Sequence, residues 1–185
     1  TERLLSEELP EVAIMELSSF QLELFSPDYQ GPRVQARRSQ ASRVIGTEGW
    51  SPHVAAMTNI PPNHLDRHPS MADYVRAKSQ IIAFQGSDDW VVLNLDDEAT
   101  AGLTSSVAGR GLHFSLERPV EEGAFLRSGQ LIVRLDGRER TLCLSCDVEL
   151  RGRHNLANIL AAACCAMAGG VSVEAMGDAA TSFSG

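Results

Sequence analysis

Three stretches of the chain begin with an apolar run and turn polar at their ends. They are Val12 to Met15 within EVAIMELSSF, His53 to Ile60, and Trp90 to Asp97. Continuous apolar runs of this length are typical of strands that are buried on both faces of a parallel sheet. The polar residues that follow these runs are predicted to lie along the carboxyl-end edge of the sheet, where ligands bind in such folds.

Two other segments have the periodicity of helices. Residues 70–84 lie between the second and third predicted strands, with Ser70 and Asp73 as a capping pair and an apolar stripe behind them. Residues 152–170 form the second segment, which two glycines stop. The order of strand, helix and strand predicts an α/β fold with a doubly wound, mostly parallel sheet.

Two regions depart from this pattern. From about Leu112 to Leu150, short β-like runs alternate with turn sequences, and Asp136-Gly137 is a hairpin signal, so we predict a small antiparallel β subdomain. Residues 25–51 are rich in arginine and match neither period, which favours an irregular surface excursion. A solvated loop is the expected interpretation of that segment, and an anion site is the alternative.

Composition narrows the class of protein. The chain has 185 residues, of which 43% are hydrophobic, enough for one domain over residues 1–185 with a sizeable core. A net charge of −8 with dispersed arginines argues against nucleic acid as a partner. The most apolar stretch, Leu156 to Val171, is shorter than the ~20 residues that span a bilayer. With no signal peptide in view, we expect a cytoplasmic protein without membrane contact, whose true N-terminus lies upstream.

The stretch NIPPNHLDRHP, Asn59 to Pro69, carries two histidines and an aspartate in a segment whose prolines exclude a regular helix. It lacks the first histidine of the HxHxDH motif of binuclear hydrolases. His64 becomes a metal ligand only with another hard ligand, and Glu16 at the end of the first apolar run is the nearest candidate. A capping or turn role for each of these residues stays open.

The chain contains a single lysine, Lys78, among 16 basic residues of which the others are arginines. This lysine falls within the apolar stripe of the first predicted helix, four residues after Tyr74. A lysine in that position loses hydration, which favours its neutral and reactive amine form. The alternative is a buried stem whose ammonium group reaches solvent.

Five motifs occur in the order seen in the Mur ligases. They are ELSSFQLE (residues 16–23), NIPPNHLDRH (59–68), YVRAKSQI (74–81), NLDDE (94–98) and RGRHNLANILAA (151–162). The chain resembles this family, and its LSSFQLE form is similar to that of the members that add D-glutamate to UDP-N-acetylmuramoyl-L-alanine in peptidoglycan precursor synthesis. The resemblance implies the P-loop-type central domain of an ATP-dependent, amide-forming ligase. In such a ligase the substrate carboxylate becomes an acyl phosphate, which the amine of D-glutamate then attacks.

The resemblance also implies roles for individual residues. Glu16 and His64 would hold Mg²⁺, and Lys78 would be carbamylated, its carbamate either joining them at the metal or orienting His64. Ser18 would lie beside the substrate or the metal. Asn155 and Asn158 would contact the adenine of ATP, and His154 would also bind the nucleotide.

The chain departs from the family pattern in three respects. The connection from Leu24 to Ala56 is longer than the family's usual one, by an amount that matches the arginine-rich excursion. The chain also contains no GxxxxGK[ST] phosphate loop, although the family carries one upstream of the ELSS motif, and Asn63 stands where many relatives have aspartate. We therefore expect a partial central domain that is cut at both ends, is inactive alone and binds ATP weakly. Two alternatives remain: another ATP-dependent amide ligase such as a folylpolyglutamate synthase, and a non-catalytic α/β binding module.

Overall fold

One sheet contains the six strands of the described residues, in sequence order from edge to edge. The computed structural model describes residues 12–24, 49–61 and 68–184. The strands are β1 (Val54–Met57), β2 (Trp90–Asn94), β3 (Arg110–Ser115), β4 (Gly123–Arg127), β5 (Gln130–Leu135) and β6 (Arg138–Leu144). Pairing is parallel from β1 to β4 and antiparallel from β4 to β6. The predicted α/β fold, with a mostly parallel sheet and an antiparallel portion, is confirmed.

The α-helices of the described residues are α1 (Ser19–Glu23), α2 (Met71–Ser79), α3 (Glu98–Ala101), α4 (Arg153–Ala168) and α5 (Val173–Ser182). Four of these five α-helices, all but α4, begin at a side-chain cap that the sequence carries. The hydroxyl of Ser70 accepts a hydrogen bond from the backbone N–H of Asp73 at 3.1 Å, so the predicted cap of α2 is confirmed. A 3₁₀ turn, Gln80–Ile82, continues α2. The predicted second helix is α4, and Gly169, directly after its last residue, is its C-cap.

Successive residues of β2 enter two different cores, one on each face of the sheet. Val92 packs among residues of α4 and α5, whereas Val91 and Leu93 pack against α2 and the α3 region. All three side chains are fully buried. Each such side chain stabilises the fold by roughly 2 kcal/mol relative to an exposed one. Helices therefore cover both faces, as a doubly wound sheet requires.

The antiparallel strands extend the parallel sheet. Leu112, where the predicted antiparallel region starts, lies on β3, which pairs in parallel with β2. The antiparallel pairing begins only at β4. Two tight turns connect its strands, at Ser128-Gly129 and at Asp136-Gly137, and all four residues have positive φ values between 50° and 77°. This geometry is the one that Asp-Gly favours, and it confirms the predicted hairpin.

The first predicted strand is wrong. Residues 12–18 form no regular element, and the side chains of Val12 and Ile14 are 76% and 95% exposed. A strand needs neighbours for its backbone N–H and C=O groups, and within the described residues β1, at the edge of the sheet, pairs with β2 alone. Most of the predicted arginine-rich excursion, residues 25–48, lies outside the described residues. In the part of the chain that the structure describes, every helix is too short or too polar to cross a membrane.

Candidate functional site

The NLDDE motif forms a turn that joins the carboxyl ends of three strands. We call residues 94–98 the strand-end turn. Asn94 ends β2, and its Nδ2 donates to the carbonyl of Thr58, just beyond β1, at 2.8 Å. The Oδ1 atom of Asn94 accepts from the backbone N–H of Asp96 at 2.9 Å, which shapes the turn. One side chain therefore holds the exit of β1 beside the exit of β2.

Two carboxylates of the strand-end turn extend this network. Asp96 accepts from the hydroxyl of Ser115 at 2.5 Å and from the backbone N–H of Leu116 at 2.6 Å, which fixes the exit of β3. Asp97 caps α3 by accepting from the N–H of Thr100 at 2.9 Å. Its second oxygen lies 3.4 Å from the N–H of Ile60, in the loop that follows β1. Polar residues do cluster at the strand ends, but these carboxylates serve as acceptors for neighbouring strands.

Lys78 lies on α2, half-buried, between the solvent and the core. Its Nζ atom is 5.3 Å from the centroid of the Tyr74 ring, within the range of a cation–π contact. Tyr74 itself is buried, with a relative exposure of 3%. The amine therefore stays next to an aromatic face at the boundary of the core, which agrees with the position that the helical period predicts.

Two of the residues predicted to bind the metal or the substrate, Glu16 and Ser18, lie at the start of α1. Glu16 is exposed on the irregular segment before α1 rather than at the end of a strand, which corrects the expected placement. Ser18 is the N-cap of α1, and its backbone N–H donates to Oε1 of Gln21 at 2.8 Å in a capping box. His64 lies outside the described residues. No three His, Cys, Asp or Glu side chains are grouped for a metal ion within residues 12–24, 49–61 and 68–184.

His68 connects α1 to α2. Its ring is buried, with 4% relative exposure. Nε2 lies 3.2 Å from the hydroxyl of Ser19, and Nδ1 lies 3.6 Å from a carboxylate oxygen of Glu23. The ring stacks on Phe20 at 5.6 Å between centroids and contacts the ring of Tyr74 at 5.0 Å. The second histidine of the loop is therefore a packed core residue with a polar partner at each ring nitrogen.

An apolar groove of about 350 Å³ lies between α4, α5 and β6. Both Asn155 and Asn158 line it, so the structure brings these two asparagines to one surface. Asn155 uses its Nδ2 to bind the carbonyl of Arg151 at 2.9 Å. His154 is exposed and lies outside the lining of the groove.

The start of α4 lies at the same edge of the sheet as the strand-end turn. Arg153, the first residue of α4, forms an ion pair with Glu117, which follows the exit of β3 by two residues. This ion pair places the N-terminal end of α4, which carries Asn155 and Asn158, beside the exit of β3. This edge is where parallel α/β sheets bind their ligands.

Comparison with known proteins identifies the family. The model of the Mur ligase middle domain matches residues 35–166. The chain belongs to the Mur ligase family. This assignment agrees with the resemblance carried by the five sequence motifs.

Two curated relatives that match most of this chain are both named UDP-N-acetylmuramoylalanine–D-glutamate ligase. The UDP-N-acetylmuramoylalanine–D-glutamate ligase of Acidobacterium capsulatum is 36% identical over 173 residues, which is 92% of this chain and 33% of the relative. The ligase of the same name from Clostridium kluyveri is 40% identical over 145 residues, 78% of this chain and 31% of the relative. The chain thus spans about a third of the length of these relatives.

Solved structures of Mur ligases share the fold. MurF from Acinetobacter baumannii superposes with a TM-score of 0.58 at 22% identity, covering 73% of this chain and 30% of that one. The MurF ligase from Thermotoga maritima, solved in complex with ADP, gives a TM-score of 0.51 at 21% identity, covering 77% and 32%.

Sequence reasoning missed two features of this Mur ligase domain. It used NLDDE only as a motif, whereas the structure gives the strand-end turn a role in joining three strands. It treated His68 as part of a possible metal loop, whereas the ring is buried against α1. A local signal existed for the cap of α1, because Ser18 and Gln21 have the spacing of a capping box. The contact between Ser19 and His68 spans 49 positions and leaves no local signal.

Proposed function

We propose that this chain is part of the central domain of an ATP-dependent ligase that adds D-glutamate to UDP-N-acetylmuramoyl-L-alanine. The observation that carries the proposal is the groove with Asn155 and Asn158, at the end of α4 that Arg153 joins to the exit of β3 through Glu117. The identity of 36–40% to ligases of that name over most of the chain supports this substrate class. Nucleic acid and membranes are not partners in this proposal.

The groove fits an adenine base. Its lining is mostly aliphatic, so a flat heteroaromatic ring would be desolvated there, and the two carboxamides would supply donors and acceptors for the edge of the base. Because Nδ2 of Asn155 binds the carbonyl of Arg151, Oδ1 of Asn155 is the atom that would accept from the adenine amino group. Asn158 is exposed at the groove and would pair with the remaining edge. His154 would bind the nucleotide outside the groove.

Lys78 is the residue that we propose for the carbamate. The neutral amine would attack carbon dioxide, forming an N–C bond and releasing a proton, so that a positive side chain becomes negative. The half-buried position beside Tyr74 limits the hydration of the amine. Arginine cannot replace it, because guanidinium stays protonated.

The remaining roles concern the phosphoryl transfer. Glu16 would supply a carboxylate oxygen, the kind of ligand that suits Mg²⁺, and His64 would supply an imidazole nitrogen, together with the carbamate of Lys78. Magnesium, when bound, would neutralise charge on the transferring phosphoryl group. Ser18 would lie beside the substrate or the metal. The substrate carboxylate would become an acyl phosphate, and attack by the amine of D-glutamate would release phosphate and leave an amide.

The test uses the full-length protein. We expect release of ADP that depends on both UDP-N-acetylmuramoyl-L-alanine and D-glutamate, and Lys78→Arg should lower turnover by more than about 100-fold with an unchanged circular dichroism spectrum. A small carboxylate such as acetate should partly restore Lys78→Ala. The matched control is Arg76→Ala on the exposed side of the same helix, which should stay within about twofold of wild type.

Three results would contradict the proposal. Near-normal turnover of Lys78→Arg would show that ligation does not require a carbamate on Lys78. ADP release that depends on a folate and L-glutamate instead would favour a folylpolyglutamate synthase. No ADP release with either pair of substrates, and no GKS or GKT sequence upstream of the ELSS motif, would favour a non-catalytic binding module.

A further inference from the structure

The ring of His68 contacts two helices that carry candidate site residues. From α1, Ser19 and Glu23 face its two ring nitrogens at 3.2 Å and 3.6 Å, and Phe20 stacks on the ring with an angle of 8° between the planes. From α2, Tyr74 packs against the ring at 5.0 Å between centroids, tilted by 37°. The imidazole is therefore a wedge between α1 and α2.

The polar partners decide how this wedge is oriented. The carboxylate of Glu23 favours a proton on Nδ1, so that Nε2 accepts the hydroxyl proton of Ser19. An apolar side chain could fill the same space without any partner. A buried imidazole, by contrast, destabilises the folded state when one of its ring nitrogens is unpaired. Two partners on one helix fix the rotation of the ring. The ring in turn fixes the distance and tilt of Tyr74.

A continuous line of contacts runs from Ser18 to Lys78. Ser18 caps α1, and the next residue, Ser19, binds His68. His68 packs on Tyr74, and the ring of Tyr74 lies 5.3 Å from Nζ of Lys78. Any rotation of the imidazole moves the aromatic face on which the amine rests.

We propose that His68 is a positioning residue, which holds α1 and α2 at a fixed spacing and thereby places Lys78 relative to Ser18. This inference rests on the proposed function for its effect on turnover. It does not require His68 to contact any substrate. The geometry alone predicts that loss of the two polar contacts displaces Tyr74 and the Lys78 amine.

The experiment compares variants of the full-length protein with two readouts. In His68→Phe the stacked ring remains and both polar contacts are lost, whereas in His68→Gln the amide can still reach the Ser19 hydroxyl. The readouts are kcat and KM of the unmodified protein for each substrate and, in a separate dimethylated sample, the ¹³C resonance of Lys78, which is assigned by its absence in Lys78→Arg. The Tyr74 ring current shifts this resonance, so it reports the contact directly. The matched control is His53→Phe. His53 lies just before β1, its side chain is 64% exposed, and it pairs with Asp89 away from α1 and α2.

We expect His68→Phe to lower kcat at least about tenfold with KM for ATP within about twofold of wild type, since misplaced groups impair chemistry more than adenine binding. The Lys78 resonance should move toward its position in the unfolded protein. His68→Gln should restore most of both values, and His53→Phe should change neither. Ser19→Ala, which keeps the imidazole, should move the resonance in the same direction by a smaller amount.

Each contrary outcome overturns a specific statement. An unmoved Lys78 resonance in His68→Phe, or in Ser19→Ala if His68→Phe does not fold, overturns the positioning role. A moved resonance with wild-type kcat would show that the position of Lys78 set by His68 does not matter for turnover. If His68→Gln restores neither value, His68 acts by packing alone and not through its contact with Ser19. If wild-type protein shows no ligation, the proposed function fails, and the resonance still decides whether His68 positions Lys78.

Discussion

In the parallel half of the sheet, carboxylates bind the ends of neighbouring strands, whereas in the antiparallel half they pair with arginines or close turns. Asp96 and Asp97 of the strand-end turn reach backbone atoms beyond β3 and β1. In the other half, Glu139 on β6 pairs with Arg127 of β4 and Arg134 of β5. Carboxylates therefore hold the strand ends together in the parallel half, whereas in the antiparallel half they form ion pairs on the surface or close turns.

Chain connectivity explains the difference. Antiparallel strands are joined by tight turns, so β4, β5 and β6 need no side chain to bring their ends together. Glu122 adds to one of these turns by accepting the N–H groups of Asp136 and Gly137 at 3.0 Å and 3.3 Å. Parallel strands end at the same edge without a direct link, and side chains must hold their exits. An edge held in this way presents loops and helix starts in fixed positions, which is what a binding site needs.

The largest effect is expected at the seam between the two halves. Gly123 begins β4 with a φ of 131°, and a Cβ there would lie 1.8 Å from the carbonyl oxygen of His113 on β3. Gly123→Ala should lower the free energy of unfolding by more than about 3 kcal/mol, because the backbone itself must move. Urea unfolding followed by tryptophan fluorescence measures this change.

Gly129 is the control for that substitution. It has a φ of 77° in the turn before β5, and a Cβ added there would have Oγ of Ser145 as its nearest neighbour, 3.8 Å away. Gly129→Ala should cost only about 1 kcal/mol, from backbone strain alone. Equal losses for the two variants would show that the seam is no more constrained than a surface turn.

The next effect concerns the strand-end turn. Asp96→Ala removes the acceptor of the fully buried Ser115 hydroxyl and of the Leu116 N–H, so we expect a loss of about 2 kcal/mol. Asp178→Ala, on the exposed surface of α5, should stay within about 0.5 kcal/mol of wild type. Urea midpoints at constant slope provide the comparison. If Asp96→Ala unfolds at the same urea concentration as Asp178→Ala, the carboxylate does not hold the exit of β3.

The sequence predicts those parts of the fold that local patterns determine. The apolar runs of β1 and β2, the Ser70 cap of α2 and the Asp136-Gly137 turn are all encoded within a few residues. The exposed segment that begins at Val12 has the same apolar pattern as a buried strand, and what distinguishes it is that none of the described strands pairs with it.

The candidate site is less predictable because its contacts are distant in sequence. Asp96 meets Ser115 across 19 positions, and Ser19 meets His68 across 49. The helical period places Asn155 and Asn158 on one face, but the groove that they line also needs residues of α5, such as Met176, and Phe183 just beyond its end. Residue types and spacing therefore indicated the chemistry, and tertiary packing determined which residues act as supports.

The smallest expected effect tests the surface charges of the antiparallel half. Hydrogen bonds from Arg127 and then Arg134 lower the pKa of Glu139 from its usual 4.5 to about 2. Because the folded-state pKa is the lower one, this carboxylate contributes stability above about pH 4.5, and the contribution disappears as the pH falls toward 2. The contribution is small since the group is exposed and salt screens it.

Glu139→Gln removes this one pH-dependent contribution and leaves the other acids unchanged. The variant should melt slightly below wild type at about pH 7 in low salt, and the difference should vanish at about pH 2 or in about 1 M salt. Thermal unfolding of the two proteins, side by side at each pH, measures the difference. A gap in melting temperature that persists at about pH 2 would mean that Glu139 stabilises the hairpins by packing rather than by charge. The contrast between the halves would then lie in the connectivity of their strands alone, and the arginine pairs would have no part in it.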